Sequence, residues 1–390
     1  MKIAYVIINA NQREGTARAV VEVAESLSKN NEVHLFARTV EEVDLSMIRW
    51  HHVPGISRPE VASFTTFFSF CSRMARRENF SIIHSAGCNT SSANVYTIQN
   101  VQNAKVKILN RLAGEERVSV ARRFSRWMYL RVTCRAERWI YARRKGRRPP
   151  LFLPVSRGTE AELRAHHDIG DAPVRVIPNA ANAGKFKPLD ASERSQWRRE
   201  NGIAANAFLT IFAGGEWARK GLDLAIKALA LVADANVLLF VAGDDPGRAR
   251  FQKLASDLGL SGRVIFAGFR KDLPRALGAA DLFLFPSWYE AFSLAVIEAA
   301  ACGLPIVSTR VNGTEDFIQP GINGEFIDHD PARIAAVLNS LVSAPRPALD
   351  AMGRAARRLV EANYTWQRVA QMTENAYEEY FAHQDIGGHA

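Results

Sequence analysis

Two glutamates eight residues apart stand in the richest stretch of the chain, Asp281-Leu-Phe-Leu-Phe-Pro-Ser-Trp-Tyr-Glu290-Ala-Phe-Ser-Leu-Ala-Val-Ile-Glu298. The pattern predicts a buried strand over 281–285, a turn at Pro286, and a helix over 290–302. Unpaired amides at a helix start, together with the positive end of its dipole, favour an anion such as a diphosphate. Ala291, Phe292, Ser293 and Leu294 would supply that backbone, and Ser293 a hydroxyl. Helix capping alone also accounts for Glu290, whereas Glu298 sits in an Ala/Leu/Val/Ile run where a carboxylate is costly without a partner. If both are helical, their α-carbons lie about 12 Å apart, wider than the ~5–9.5 Å between the carboxyl groups of a glycosidase acid/base pair. The spacing suits carboxylates gripping hydroxyls at opposite ends of one long ligand.

A second constellation reads Gly214-Gly215-Glu-Trp-Ala-Arg219-Lys220-Gly221. Glycines permit close backbone approach, and adjacent Arg and Lys neutralise phosphate oxygens. No G-x-G-x-x-G and no G-x-x-x-x-G-K-[ST] occurs, which excludes dinucleotide-fingerprint and P-loop readings. Gly15 lies in a strand-to-helix loop, and His84 is placed at a strand end, where it could face the cleft, with a satisfied buried histidine as the preferred reading. Asp328-His329-Asp330 spells a D-x-D pattern in a turn, read as solvated and helix-capping rather than as a metal site.

These residues need strand ends to hold them. Short apolar strands are predicted at 2–8, 32–36, 81–84, 94–98, 151–155 and 175–177, and again at 208–213, 236–242, 264–267, 281–285 and 305–308. Helix-sized segments separate them, including 16–28, 222–232, 248–257 and 367–381. That alternation means β-α-β units and parallel sheets, hence an α/β chain of two facing doubly wound domains with a cleft between them. A Pro/Asn/Gly-bearing connector at 177–184 divides the chain into 1–180 and 185–365, and the stretch 366–385 is expected to pack back on the first half.

Composition agrees with a folded two-domain protein: 47% apolar and 23% charged over 390 residues is ordinary globular usage. Cys71, Cys88, Cys134 and Cys302 have no metal-type spacing, which fits a reducing compartment. The N-terminus is too short in apolar residues for a signal segment, and no run approaches ~20 apolar residues. The net charge of +10 is local: from 105 to 148 there are 15 Lys and Arg against three Glu, a net of +12.

Together these motifs resemble the GT-B-fold glycosyltransferases of family 4, group 1, retaining enzymes that use nucleotide sugars. The E-x7-E element stands as Glu290…Glu298, the Gly-(x)-Arg-Lys-Gly element as Gly214…Arg219-Lys220-Gly221, a Val-Ile-Pro-Asn hinge as Val176–Asn179, and a base-binding loop as Val264–Phe269. The resemblance is ordered over roughly 150–330 and looser before it. It implies two Rossmann-like domains, Arg219 and Lys220 on the donor diphosphate, and Glu298 on the ribose. Glu290 with the Ala291–Leu294 backbone would contact the donor sugar and phosphates, Gly15 would lie near them, and Gly268, Phe269 and Arg270 would hold the base. No cofactor and no metal are implied. Gln99, next to Asn100, occupies a strand-end position where relatives often carry histidine; with His84 these are the acceptor- or sugar-side candidates, and Gln99 cannot usefully accept a proton. Asp316 stands where a glutamate is usual.

The implied function is a hexosyl transfer from a nucleoside diphosphate sugar, UDP-sugar favoured, to a saccharide or lipid-linked acceptor in envelope polysaccharide or lipopolysaccharide synthesis. Alternatives are a GDP-mannose-dependent mannosyltransferase or a non-catalytic basic relative that binds membrane or RNA. Residues 118–141 are predicted helical with Val120, Phe124, Met128, Val132, Ala136 and Trp139/Ile140 on one face, followed by basic residues to Arg148. Arg-rich, aromatic-laced helices suit anionic lipid, and the Phe64, Phe67, Phe68 and Phe70 run adds to that reading. No RRM, KH or helix-turn-helix signature appears, so nucleic acid is not expected as a partner. A cytoplasmic enzyme, peripheral on the inner face of the membrane, is the expectation.

Overall fold

The structure, a computed structural model, describes residues 1–113, 120–142 and 148–385. Its strands are β1 (Lys2–Val6), β2 (Asn9–Asn11), β3 (Glu32–Ala37), β4 (Thr39–Glu41), β5 (Ile48–His52), β6 (Ile82–Ala86), β7 (Val95–Ile98), β8 (Leu151–Pro154), β9 (Phe208–Ala213), β10 (Val237–Ala242), β11 (Val264–Gly268), β12 (Leu282–Phe285), β13 (Ile306–Thr309) and β14 (Gly324–Ile327). They form two six-stranded sheets ordered β5-β3-β1-β6-β7-β8 and β11-β10-β9-β12-β13-β14, plus a small β2-β4 pair. Every pairing is parallel. Counting each large sheet from its own first strand gives the order 3-2-1-4-5-6 twice, the doubly wound Rossmann arrangement. Apolar runs such as Ile3-Ala-Tyr-Val6 and Leu209-Thr-Ile-Phe212 are buried along their length, as parallel strands covered on both faces require.

The chain divides into two compact units, 1–179 with 366–390, and 180–365. Helix Trp366–Asp385 belongs to the first unit and packs on helix Gly15–Leu27. Its Tyr377 hydroxyl lies 2.5 Å from His84 Nδ1 and 3.0 Å from the Tyr5 hydroxyl.

Local chemistry explains the boundaries. Asp190 and Glu193 form a reciprocal capping box on helix Ala191–Glu200, and Asp330 accepts from Ala332 N at the start of helix Pro331–Val342, satisfying amides that the helix leaves unpaired. In the second unit, buried Asp281 precedes β12 and gathers Arg194 at 2.5 Å, Arg198 at 2.6 Å, Arg346, and the Leu209 amide at 2.7 Å. Burial alone would raise its pKa; Arg194 and Arg198 overcome that and hold the carboxyl below the usual carboxylate range.

Three local expectations change. Residues 175–177 form no regular strand: the segment runs beside β8, with Phe152 N donating to Pro173 O, Arg175 N to Phe152 O and Ile177 N to Pro154 O, but closes only an isolated bridge between Val174 and Phe152. Ile48–His52 is an edge strand whose mixed Arg-Trp-His-His composition hides the alternation. The helix expected from Glu290 begins at Leu294 and ends at Ala301. Glu290 is therefore a loop residue, and the 12 Å helical spacing to Glu298 does not apply.

In the basic segment, residues 118–119 and 143–147, and the side chains of 120–123, lie outside the described residues. Helix Val120–Tyr141 buries Thr133, Glu137, Ile140 and Tyr141. Val132, Ala136 and Ile140 of the expected apolar face do pack inward, and among them Glu137 accepts from Gln102 N and lies 3.6 Å from His167. Phe124, Met128 and Trp139, expected on that face, are exposed. Phe64 and Phe67 are core residues of helix Glu60–Ala75, and only Phe70 of that run is exposed. Arg148 lies over the Tyr380 ring at 3.5 Å, with a hydrogen bond to the Tyr380 carbonyl.

Candidate functional site

β9 and β12 are hydrogen-bonded neighbours where the strand order reverses, the switch point at which doubly wound sheets bind ligands beyond their carboxyl ends. The Gly214–Gly221 turn leaves β9, and the Pro286–Ser293 loop leaves β12. The two are stitched together: Trp288 N donates to Arg219 O at 2.9 Å and Ser287 Oγ to the same carbonyl at 3.3 Å. Gly221, at φ +73°, caps the following helix Leu222–Ala230, and a Cβ there would collide with the Pro286 carbonyl. The contact between the two motif segments needs glycine at this position.

Arg219 is largely buried. It donates to Glu290 Oε1 at 2.8 Å, to Glu216 Oε2 at 2.7 and 3.1 Å, and to the Tyr289 carbonyl at 2.5 Å. Burial works against its charge, but Glu290 and Glu216 together hold its pKa above the ordinary value. Lys220 is half-buried. Its Nζ lies 3.5 Å from the Ala213 carbonyl and 5.6 Å from the Phe285 ring centroid, and burial lowers the ammonium pKa while Glu290 opposes. A Cβ on Gly214 would strike Lys220 Nζ. Glu298 is buried in helix Leu294–Ala301, whose start is built from buried Ala291, Phe292, Ser293 and Leu294. Ser293 is the N-cap residue, but its side chain makes no capping hydrogen bond.

Beside them, Gly268 (φ +69°) ends β11 and Phe269 projects, 69% exposed. Arg270, expected at the base, makes a two-pronged pair with Asp272 at 2.7 Å on both bonds. The chain thus brings together Glu290, Arg219, Lys220, Gly214, Glu298 and the 291–294 backbone, with Gly268 and Phe269 on the same sheet edge.

Four neighbours escaped the motif reading. Gly243 (φ +132°) follows β10, its amide donates to Gly268 O, and a Cβ on it would collide with Gly214. Asp245 accepts from Trp217 N at 3.0 Å and Gly247 N at 2.7 Å, bracing the glycine turn. Arg248 donates to Phe266 O at 2.7 Å. Glu216 holds a positive φ of 51°, a costly conformation for a residue with a side chain. Ala242-Gly-Asp-Asp after a buried strand was the available signal for the first two.

In the first unit, Gly15 opens helix Gly15–Leu27 behind an Asn11 turn in which Oδ1 accepts from Arg13 N and Glu14 N. Gln99 and Asn179 pair their side-chain amides at 3.0 and 3.2 Å. Asn100 Oδ1 is buried without a hydrogen-bond partner among the described residues. His84 is the satisfied buried histidine, with Nδ1 at the Tyr377 hydroxyl and Nε2 2.5 Å from Thr97 Oγ1, but it sits mid-strand in β6 and not at the strand end. Burial pushes its pKa down to about 3, and it tethers the helix Trp366–Asp385 rather than facing solvent. Asp330 is the helix cap described above, Asp328 pairs with Arg333 at 2.6 Å, and His329 stacks on Trp288 at 3.9 Å.

Two Rossmann-like halves, with paired cations and a buried carboxylate at one switch point, define a GT-B architecture, and the comparisons agree. Residues 193–359 match the family model of group 1 glycosyl transferases, and residues 13–185 that of glycosyltransferase family 4. The chain belongs to the GT-B glycosyltransferases of family 4.

Among its relatives, the lipopolysaccharide glucosyltransferase WaaG of Escherichia coli (strain K12) is 33% identical over 162 residues, 40% of this chain and 43% of that protein. The D-inositol 3-phosphate glycosyltransferase of Corynebacterium jeikeium (strain K411) is 33% identical over 232 residues, 56% and 54% respectively. The chain therefore spans about half the length of the curated relatives it matches. The crystal structure of WaaG, a glycosyltransferase involved in lipopolysaccharide biosynthesis, has the same fold, with a TM-score of 0.77 at 22% identity over 96% of this chain and 98% of that one.

Proposed function

We propose that the protein transfers a hexose, with retention and without a metal, from a nucleoside diphosphate sugar to a saccharide or lipid-linked acceptor of lipopolysaccharide or related envelope polysaccharide synthesis. A UDP-sugar is the favoured donor. The observation that carries this reading is the convergence of Arg219, Lys220 and buried Glu298 at the switch point between β9 and β12. As the glycosidic bond breaks, negative charge grows on the departing diphosphate. Fixed cations and the amides at the start of helix Leu294–Ala301 stabilise that charge more than they stabilise the bound donor. Glu298 accepts ribose hydroxyls, and Phe269 offers an apolar face to the base. Gln99, an amide, positions hydroxyls without taking a proton.

The lipid-linked acceptor reading has its own support. On helix Val120–Tyr141, exposed Phe124, Trp127, Met128 and Trp139 are interspersed with exposed Arg126, Arg131, Arg135 and Arg138, and Arg131 lies 4.8 Å over the Trp127 ring. Such a face suits the boundary of an anionic leaflet. No helix among the described residues is long and apolar enough to cross a membrane, so a peripheral enzyme on the inner face, working from the cytoplasm, is the arrangement proposed.

Thermal-shift titration with UDP-, GDP- and ADP-sugars tests the donor. A midpoint that rises with UDP-sugar, following RT ln(1 + [L]/Kd), supports the reading. A response to GDP-sugars alone moves it to a mannosyltransferase-type donor, and no response to any sugar nucleotide overturns it. Flotation with anionic liposomes tests the surface: salt-sensitive binding that is lost in Trp127→Ala/Trp139→Ala supports docking, and equal recovery of both proteins refutes it.

A further inference from the structure

A second cluster of chemistry lies at the edge of the first sheet. His34 on β3 and His51 on edge strand β5 place Nδ1 and Nε2 2.7 Å apart. Glu78, which follows helix Glu60–Ala75, brings a carboxylate oxygen to 3.9 Å from His34 Nδ1 and another to 3.8 Å from His51 Nδ1. One ligand atom from each of these three residues falls within 4.8 Å of the others. Behind them, Glu32 Oε1 lies 2.8 Å from His34 Nε2. Phe36 stacks on His51 at 4.4 Å, and Phe80 stands edge-on to His34 at 4.9 Å. His34 is fully buried, while His51 and Glu78 reach the surface.

The proton inventory is informative. A carboxylate only accepts, so Glu32 fixes the proton of His34 on Nε2 and leaves Nδ1 as a lone pair aimed at His51. With neutral rings, His51 must donate from Nε2, and its Nδ1 lone pair then faces the Glu78 carboxylate: two acceptors confront each other. A cation between His34 Nδ1, His51 Nε2 and a Glu78 oxygen removes the conflict. Both nitrogens ligate, and His51 Nδ1 keeps a proton for Glu78.

We propose that His34, His51 and Glu78 form a structural site for a late first-row divalent cation, zinc foremost, with Glu32 as the outer carboxylate that orients His34. Two imidazoles and one carboxylate are a zinc-type donor set with a fourth position open to water. Ligand atoms about 2.0–2.1 Å from a tetrahedral ion stand about 3.3 Å from one another. The observed 2.7 and 3.9 Å bracket that separation, and the partly exposed His51 and Glu78 have freedom to close it. Lys2 Nζ lies 3.0 Å from Glu78 and 3.9 Å from Glu32, and Arg49 also acts on Glu32 and His51, so these cations balance the two carboxylates before metal enters. The bound ion would clip edge strand β5 to β3 and to the end of the helix Glu60–Ala75.

The test uses the whole protein, stripped with chelator and titrated with Co2+ in the absence of any sugar nucleotide. One equivalent of Co2+ giving visible ligand-field absorption, bleached by Zn2+ and accompanied by a raised thermal midpoint, is the expected result. His51→Ala abolishes the absorption, and Glu32→Gln weakens binding about 10- to 100-fold, the usual cost of an outer partner. Absence of a Co2+ spectrum, or equal Co2+ binding by His51→Ala, overturns the site and leaves a proton-bridged histidine pair. Because His51 lies on an edge strand and is partly exposed, its variant is expected to fold; Glu32→Gln supplies the second readout.

Discussion

Arg219 Nη1 stands 2.8 Å from Glu290 Oε1, and Glu216 Oε2 takes the same guanidinium at 2.7 Å from Nη2. The cation proposed to hold the donor diphosphate is thus already matched by two carboxylates, of which Glu216 is 60% exposed and Glu290 only 14%. Four of the five guanidinium N–H groups are already engaged, so a diphosphate that takes Arg219 in a two-pronged pair must displace one, and the exposed one is cheaper to release into water. Glu216→Gln is therefore expected to lower the donor KM several-fold with kcat little changed. Glu290→Gln is expected to lower kcat by tenfold or more. Steady-state kinetics on both variants checks this, and a higher donor KM in Glu216→Gln would refute the displacement.

Lys220 is half-buried, and its Nζ lies 3.5 Å from the Ala213 carbonyl. Desolvating an ammonium costs stability, and burial lowers its pKa, so Lys220→Ala should leave the denaturation midpoint unchanged or raised. Turnover should fall about 10²–10³-fold, the range for losing one fixed charge-stabilising group. Unchanged transfer rates would remove Lys220 from the donor site.

Gly243 combines φ +132° with a backbone contact to Gly214 that leaves no space for a Cβ. Gly243→Ala is expected to cost about 3 kcal/mol, from backbone strain and overpacking together. Urea denaturation measures it, and a loss below ~1 kcal/mol would mean that the strand ends relax easily.

The sequence made the two α/β halves readable because buried parallel strands are continuous apolar runs and glycines punctuate their ends. Phe208–Ala213, Arg248–Asp257 and the Arg219-Lys220 turn could be placed from those signals alone. What eluded it depended on tertiary partners. Leu294 rather than Glu290 begins its helix because Glu290 is drawn to Arg219. The outward turn of Phe124 and Trp139 follows from Glu137 facing Gln102 and His167, a pairing across 35 and 30 residues that helical periodicity does not encode. Glu216 looked like a spacer, since its role exists only once the turn folds it onto Arg219.

His84 supplies a pH prediction. Burial holds it neutral, with its pKa lowered to about 3, whereas in the unfolded chain it titrates near 6.5. The unfolded state therefore binds a proton first as pH falls, so stability is full above pH ~6.5 and is lost progressively toward pH ~3. At pH 5 the loss from this residue is about 2 kcal/mol. Denaturation curves at pH 7.5 and 5 should show it, and His84→Gln should flatten that dependence. An equal slope in the variant would assign the acid sensitivity elsewhere.

Tyr377 completes the hydrogen-bonded chain through His84 and Tyr5, yet it is separated from both by the whole of the second unit. On the ribosome this inverts the usual order of maturation. Residues 180–365 form one uninterrupted stretch that can close its sheet as soon as it has emerged, while the unit begun first waits, its Tyr5 and His84 seat open, for a helix synthesised nearly two hundred residues later. The oldest part of the nascent chain is the last to be finished.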